Sequence, residues 1–424
     1  AVLLASGSLA LLSHLGKLNK MPDSDKQHNP GTAAPKSGAS IAPVPVVVKP
    51  KQESFMLNTN KLPSIMISRL EAQVREKRER MKEGDLVGKY KIIDLIDSDT
   101  GTNDLYVVRH EETQDVHCLK VEYRSTKFPI LKTELFILLE IRKKADPKHF
   151  CMVYDKGQGE KFNWIVMSLV GPSLKTLRRE HPTRKLSLGC GLSVGKQCLK
   201  ALEELHRIGF IHRDVSPSNF CIGRRELEEE RKIYFVDFGY SHSYRDANGE
   251  LKRPRPRPTR YMGCLRHAPR AAFLGIELSR MDDMESWFYM FVELLKGGLP
   301  WMNMRNPSDV YLHQRKCRTG LEKMHLLGGL PKQFEKIMNL NDRLTYYDEP
   351  DYNAICELID EAAKDYAVMH LDTMRENRNI LQHIVYEQDT AALYSNNSLL
   401  CHFFNLKVEE LCTSDCKGRR VPVR

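Results

Sequence analysis

The 424-residue sequence lacks an apolar run long enough to span a bilayer. Its best candidate, AVLLASGSLALLSHL at residues 1–15, is shorter than the roughly 20 residues that a spanning helix needs, and no basic residue precedes it. The sequence therefore predicts neither a transmembrane segment nor an export signal, and no membrane partner.

The eleven cysteines lack the paired spacing of disulfide frameworks and zinc sites. Cys412 and Cys416 form one C-x3-C pair, but no second pair of ligands accompanies them. This pattern predicts free thiols in a reducing compartment, so we expect a cytoplasmic protein and regard the nucleus as compatible.

A basic stripe interleaved with aromatic residues, which is typical of nucleic-acid-binding proteins, is also missing. The formal net charge of +10 is positive enough for such a protein, but its densest part is a single segment, residues 251–270. We therefore expect no specific nucleic-acid partner.

Composition divides the chain into tails and a folded region. Residues 21–61 are rich in Pro, Ser, Ala and Lys and contain too little apolar surface to offset the entropy of ordering, so 1–61 is predicted to be a disordered tail. Opposite charges four residues apart predict an exposed lead-in helix over 62–86. Residues 386–424 are assigned to a C-terminal tail.

Strand patterns dominate the first half of the folded region and helical patterns the second. YKIIDLI, DLYVVRH and VHCLKVEY alternate like consecutive strands, ILKTELFILLEIRKKA has helical spacing, and SVGKQCLKALEELHRIG predicts a helix ending at Gly209. The expected fold is α+β with two lobes: an antiparallel sheet plus one helix over 87–170, and a mainly helical lobe over 171–385, with a cleft between them.

Five residues in one chain order carry the chemical signal: Lys120, Glu134, Asp214, Asn219 and Asp237. A single lysine on a strand is usually a solvated side chain, and a single Asp-Phe-Gly is most often a turn. The occurrence of all five residues in this order, with His-Arg-Asp before Asn219 and Asp-Phe-Gly after it, is specific and indicates phosphoryl transfer.

Phosphoryl transfer requires positioning and charge neutralisation more than covalent help. Lys120, held by Glu134, would reach the phosphates of ATP, and Asp237 with Asn219 would hold Mg²⁺ through hard oxygen ligands. Asp214 would orient the attacking hydroxyl and accept its proton. ATP and Mg²⁺ are therefore the expected cofactors.

Over roughly residues 87–384 the sequence resembles the eukaryotic protein kinase family. Within that family it is most similar to the casein kinase 1 group and its tau-tubulin kinase branch, through FNWIVMSLVGPSLKTLRRE, LHRIGFIHRDVSPSNFCIGR, SRMDDMESWFYMFVELLKGGLPW and RLTYYDEPDY. Like that group, it has no Ala-Pro-Glu after Gly263. The resemblance implies the two-lobed protein kinase fold, a monomer, and Ser/Thr kinase activity on protein substrates.

The same resemblance implies further roles. Met167 would be the gatekeeper, and the backbones of Leu169 and Val170 would bind adenine. Asp283 would anchor the catalytic loop from a helix below it, a structural role.

The loop that should cover the phosphates departs from Gly-x-Gly-x-x-Gly. Ser98, Thr100 and Asn103 stand at the glycine positions, with Gly101 between them, in a stretch that also contains Asp97, Asp99 and Asp104. Bulkier side chains and added negative charge predict weaker ATP binding.

Ser216 stands where related kinases have a lysine that contacts the transferred phosphate. Losing one such contact costs about 2.7–4 kcal/mol, which is less than the total acceleration of an enzyme. We therefore expect a slow kinase, with a pseudokinase scaffold as the alternative.

Residues 251–270 hold seven basic residues and no acidic one. The segment could be simply a solvated, proline-extended loop. By resemblance, however, Arg266 matches the arginine that receives a phosphate on the substrate, with Lys316 as its candidate partner. This reading predicts a preference for acidic or pre-phosphorylated protein substrates.

Overall fold

The computed structural model describes residues 80–96, 103–126, 128–144, 147–255 and 261–381, with side chains described up to residue 367. All of them lie in one compact unit, Leu57–Arg424. The predicted tails 1–61 and 386–424, and residues 62–79 of the predicted lead-in helix, fall outside the described residues.

The last part of the predicted lead-in segment, 80–86, is not helical. Gly84 has a φ of +92°, which turns the chain, and its N–H donates to the Ile92 carbonyl over 3.0 Å. Ile92 in turn donates to the Asp85 carbonyl over 2.9 Å. Pairing with the next strand therefore replaces helical hydrogen bonds here, and the prediction of a helix up to residue 86 was wrong.

A six-stranded antiparallel sheet of order β1-β2-β3-β4-β6-β5 forms the first region. Its strands are β1 (Leu86–Val87), β2 (Tyr90–Ile96), β3 (Asn103–His110), β4 (Val116–Tyr123), β5 (Val153–Gln158) and β6 (Phe162–Met167).

The alternation of β3 and β4 separates two faces of the sheet. Tyr106 and Leu119 pair across the strands and belong to a small apolar cluster on one face. Cys118 pairs with Met167 of β6, and both belong to the larger core that continues into the helical region. Lys120 shares the face of Cys118, because residues two apart on a strand point the same way.

The one α-helix among the described residues of this region, α1 (Leu131–Lys144), begins against the side chain of Glu122. The Oε1 of Glu122 accepts the N–H groups of Ile130 at 2.6 Å and Leu131 at 2.9 Å. A carboxylate at a helix N-terminus satisfies free donors and opposes the positive end of the helix dipole. This contact ties α1, and with it Glu134, to strand β4.

Helices dominate the second region. They are α2 (Leu174–Glu180), α3 (Leu188–Arg207), α4 (Arg270–Phe273), α5 (Arg280–Lys296), α6 (Pro307–Lys316), α7 (Gly320–Leu327), α8 (Gln333–Arg343) and α9 (Tyr352–Leu381). Two short two-stranded sheets accompany them, β7 (Phe210–Ile211) with β10 (His242–Ser243) and β8 (Phe220–Ile222) with β9 (Ile233–Phe235).

Helices α3 and α5 pack closely at the centre of the core. A Cβ on Gly195 of α3 would lie 2.3 Å from the ring of Phe291, so only glycine allows this approach. The indole N–H of Trp287 also donates to the Gly195 carbonyl over 3.1 Å. The predicted α+β architecture, sheet region first and helical region second, is confirmed.

Two sequence predictions, on membrane-spanning segments and on the cysteines, can be compared with the described residues. None of their helices combines the length and apolar character that crossing a membrane requires. Their eight cysteines are all free, and seven of them are buried.

Candidate active site

Three charged side chains from three separate elements meet where the sheet faces the helical region. Lys120 Nζ donates to Glu134 Oε2 on α1 and lies 3.0 Å from Asp237 Oδ1. Lys120 and Glu134 are almost fully buried. Burial lowers the pKa of Lys120, but the carboxylates of Asp237 and Glu134 outweigh it, and the net shift is upward. The lysine is therefore a fixed positive charge.

Packing of Phe238 fixes the position of Asp237. The Phe238 ring is buried, and its centroid lies 5.9 Å from the ring centroid of Phe150 and 5.4 Å from that of His212. Asp237 itself has a φ of +65°, a backbone conformation that is costly for a residue with a side chain. The aromatic contacts hold this strained turn so that the carboxylate faces Lys120.

Asp214 and Asn219 are both buried and bonded to each other. The Nδ2 of Asn219 donates to the Asp214 backbone carbonyl at 2.7 Å and to its Oδ2 at 3.0 Å. The other carboxylate oxygen of Asp214 accepts the Cys264 N–H at 2.8 Å. These bonds fix the carboxylate beside the segment that follows Gly263.

Asp283 of α5 holds the loop from below, as the resemblance implied. Its oxygens accept the N–H groups of His212 at 2.6 Å and Arg213 at 2.9 Å, and His206 Nε2 lies 3.0 Å away. Burial opposes ionisation, but the His206 contact and the other donors outweigh it and lower the pKa of Asp283. Arg213 has a φ of +68°, which this anchor stabilises.

The donor set fits a magnesium–nucleotide complex. Because both bonds of the Asn219 amide nitrogen go to Asp214, its Oδ1 is the atom left to accept a cation. The Val236 N–H donates to the Asn219 backbone carbonyl at 2.9 Å, so the residue before Asp237 lies against the backbone of Asn219. Asn219 and Asp237 would hold Mg²⁺, whose preferred ligands are oxygens.

The predicted adenine-binding residues follow strand β6 directly. Met167 is buried opposite Cys118, while Leu169 and Val170 are half-buried against the main core. Asn103, at the third expected glycine position, is buried on β3. Ser98, Thr100 and Gly101 lie outside the described residues, as do Asp97 and Asp99.

Asp104 does not point towards the phosphates. Leu105 pairs with Lys120, so its neighbour Asp104 lies on the opposite face of the sheet. There it is buried and accepts the hydroxyls of Tyr106 at 3.4 Å and Tyr123 at 3.2 Å. The expectation that Asp104 adds negative charge near the nucleotide was wrong, because the period of the strand turns it away.

Ser216 is buried, and its Oγ lies 2.9 Å from the Oγ of Ser218. Both serines line a cavity of about 340 Å³ together with Lys175 and Arg178 of α2 and Arg266. Three basic residues thus line the same cavity as the serine that stands in place of the expected lysine.

A buried carboxylate, Glu293 of α5, also lines this cavity and binds three basic side chains. Its Oε1 lies 2.9 Å from Nη1 of Arg178 and 2.9 Å from Nη1 of Arg266, and its Oε2 lies 2.6 Å from Nε2 of His267. Burial raises the pKa of Glu293, but the three cations outweigh it and lower the pKa to about 2. Glu293 raises the pKa of His267 to about 9 against the effect of burial. Three cations around one carboxylate leave two positive charges at neutral pH.

Sequence reasoning placed Arg266 near the substrate but missed Lys175, Arg178 and Glu293. Lys316 is exposed at the end of α6 and is not among the described residues that line the cavity. One signal was available: Glu293 interrupts the apolar run MFVELL on a helix whose other positions there are buried. A carboxylate in such a run requires a buried partner.

Part of the basic segment is also paired. Arg255 bonds to Glu277 through two nitrogens, one of them Nη2 to Oε1 at 2.9 Å. Residues 256–260, which include Arg257 and Arg260, lie outside the described residues.

Comparison with known proteins agrees with this geometry. Residues 101–387 match the family model of the protein kinase domain. The serine/threonine-protein kinase spe-6 of Caenorhabditis elegans is 33% identical over 270 residues, which are 63% of this chain and 70% of the relative. Casein kinase I homolog 3 of Schizosaccharomyces pombe is 33% identical over 247 residues, 57% of this chain and 55% of the relative. Casein kinase I homolog 2 of the same yeast is 32% identical over 216 residues, 50% and 49% respectively.

Proposed function

We propose that this chain, which belongs to the protein kinase family, transfers the γ-phosphoryl group of ATP to serine and threonine hydroxyls of proteins. The observation that carries the proposal is the buried contact of Lys120 with Glu134 and Asp237. A lysine held between two carboxylates is expensive to bury. A role of the lysine in neutralising the charge of bound phosphates would account for this cost.

Each residue has a distinct task. Bound Mg²⁺ would neutralise the charge of the transferred phosphoryl group. Lys120 orients the phosphates, and Asn219 and Asp237 supply the oxygens for the cation. Asp214, fixed by Asn219 and the Cys264 N–H, orients the attacking hydroxyl and takes up its proton.

The rate should be low, because Ser216 provides no positive charge to the transferred phosphate. Lys175 and Arg178 line the same cavity and supply charge nearby. They belong to α2 and not to the catalytic loop, so we expect them to attract anions without fully replacing the missing lysine.

The test is transfer of radiolabelled phosphate to an acidic protein such as casein, with Asp214→Asn as the variant. General-base catalysis contributes about 10²–10⁴-fold, so the weak transfer of the wild type should fall to background in the variant. Asp246→Asn is the matched control, since Asp246 lies in an exposed turn and bonds to Asn248 and Glu250 backbones. Equal transfer by wild type and Asp214→Asn would assign the signal to a contaminating kinase and overturn the proposal.

We further propose that acidic or pre-phosphorylated proteins are the preferred substrates. The support is the excess of two positive charges around Glu293, to which Lys175 adds another at the same cavity. Guanidinium groups bind phosphates and carboxylates in a forked geometry, and a basic cavity attracts anions. Similarity to the tau-tubulin kinase branch does not identify the physiological substrate.

A peptide panel with Asp, Glu or phosphoserine near the acceptor tests this preference. Losing one charge-assisted hydrogen bond in Arg266→Ala should raise KM for the phosphoserine peptide about tenfold. Lys316→Ala, outside the cavity lining, should leave KM unchanged. Rising salt should weaken the preference because exposed charges are screened. A preference for basic peptides, or no response to Arg266→Ala, would contradict the proposal.

The alternative is a pseudokinase scaffold, which Ser216 and the non-glycine loop favour. Thermal unfolding with increasing ATP and Mg²⁺ separates the two, because a ligand that binds only the native state raises the melting temperature. A shift that Lys120→Met reduces supports the kinase. No shift, together with no phosphate transfer, would support the scaffold.

A further inference from the structure

A second cluster of ligand-type side chains lies between α6 and α7, and none of its members is among the residues that line the cavity described above. His313 and Cys317 are four residues apart at the end of α6, so they share one face of that helix. Glu322 lies in the first turn of α7. One donor atom from each of these three residues lies within 4.8 Å of the other two.

The histidine carries the clearest sign of a missing ligand. Its Nε2 is buried and has no hydrogen-bond partner among the described residues. The nearest carboxylate oxygen, Glu322 Oε2, is 3.5 Å away, which is too long for a good hydrogen bond. A buried ring nitrogen without a partner is costly, and a metal ion would satisfy it.

The spacing fits a small tetrahedral cation. Zinc binds histidine nitrogen and carboxylate oxygen at about 2.0–2.2 Å, so two such donors in one tetrahedral site lie about 3.4 Å apart. The separation of His313 Nε2 and Glu322 Oε2 is already 3.5 Å. The limit of 4.8 Å for the whole group leaves only a small movement for the Cys317 sulfur.

Charge and softness of the donors also point to zinc. A thiolate, an imidazole and a carboxylate are the three ligand types that zinc accepts together, whereas magnesium and calcium prefer oxygen alone. One thiolate and one carboxylate neutralise a divalent ion. His325 Nδ1, 3.3 Å from Glu322 Oε2, helps to orient the carboxylate.

We propose that His313, Cys317 and Glu322 form a zinc site that joins the end of α6 to the first turn of α7, with solvent as the fourth ligand. The site is independent of the proposed kinase activity, because none of its three residues contributes to the phosphate-transfer chemistry. Its role is to fix the end of α6 against the first turn of α7.

Cobalt, which takes the same ligands as zinc and absorbs visible light, provides the test. The full chain is freed of metal with a chelator and titrated with Co²⁺. The wild type should bind one ion with the intense visible bands of tetrahedral cobalt and a near-ultraviolet thiolate-to-cobalt band. Added Zn²⁺ should remove both, since zinc binds such sites more tightly than cobalt.

Variants assign the signal to these residues. Cys317→Ser should lose the thiolate band, and His313→Ala and Glu322→Gln should weaken cobalt binding about tenfold or more. Cys356→Ser, at a buried cysteine on α9, and His181→Ala, at a partly exposed histidine after α2, are the controls and should bind like the wild type. Circular dichroism of each variant checks that the fold is retained. Glu322 is partly exposed, so Glu322→Gln is the variant for which we expect the smallest effect on folding.

Two results would overturn the proposal. Absence of tetrahedral cobalt bands in the wild type would show that the donors do not form a site. An unchanged thiolate band in Cys317→Ser, combined with unchanged affinity in Glu322→Gln, would place the bound ion at other cysteines of the chain.

Discussion

Two buried charge clusters adjoin the catalytic loop, and their compositions are opposite. Around Lys120, one cation lies between the two carboxylates of Glu134 and Asp237. Around Glu293, one carboxylate lies among the cations of Arg178, Arg266 and His267, which leaves an excess of two positive charges. The first cluster keeps one negative charge and suits a cation with its nucleotide, whereas the second suits an anionic substrate.

Because of these opposite compositions, we expect substitutions in the two clusters to have different effects. The lysine cluster is assembled for chemistry, so neutralising one member should change the rate. The glutamate cluster is assembled around a charge with no access to water, so removing that charge leaves three cations without compensation. The predictions below test this contrast.

The largest expected effect is on stability, from Glu293→Gln. Breaking a buried ion pair by removing one partner costs about 3–5 kcal/mol, and here the carboxylate serves three partners. Urea denaturation should show this loss in the free energy of unfolding. Glu335→Gln, which removes an exposed pair with Lys323, should cost at most about 1 kcal/mol. Similar losses in both variants would contradict the contrast.

The next effect is on rate, from Ser216→Lys. Restoring one contact to the transferred phosphate should raise kcat by about one to three orders of magnitude. Single-turnover phosphate transfer is the measurement, and Ser216→Met, of similar length without charge, is the control. An unchanged or lower kcat for the lysine variant would show that the loop is built around the bond of Ser216 to Ser218.

The third effect is on the pH dependence of stability. His267 has its pKa raised from 6.5 to about 9, so the stability it contributes is fully present below pH 6.5 and is lost as the pH rises through 9. This shift corresponds to a loss on the order of 3 kcal/mol. Glu293, with its pKa lowered to about 2, stays ionised over this range and adds no slope.

Chemical denaturation at several pH values between 6.5 and 9 measures that slope. His267→Gln keeps a hydrogen-bond donor for Glu293 but does not titrate, so its unfolding free energy should vary less with pH. His181→Gln, at a partly exposed histidine, is the control and should follow the wild type. A slope in His267→Gln equal to that of the wild type would remove His267 as the titrating group.

The lysine cluster was largely predictable from the sequence, because each of its members lies in a motif whose local structure is fixed by its neighbours. The alternation of VHCLKVE makes a strand, and Asp-Phe-Gly forces a turn that Phe238 anchors. The glutamate cluster was not predictable, because its four residues come from three elements separated by many residues. The sequence signals that pointed towards it were the missing lysine at Ser216, the basic segment and Glu293 within the apolar run MFVELL.

Periodicity and short motifs are local properties, so the sequence was enough to predict the order of strands and helices and to single out Lys120, Asp214, Asn219 and Asp237. Tertiary structure decided which basic residues meet. It brings Lys175 and Arg178 to the cavity beside Arg266 and leaves Lys316 on the surface. A buried carboxylate is stabilised by whichever cations the fold places near it. Separation along the chain does not show which cations those are, so the sequence could not predict them.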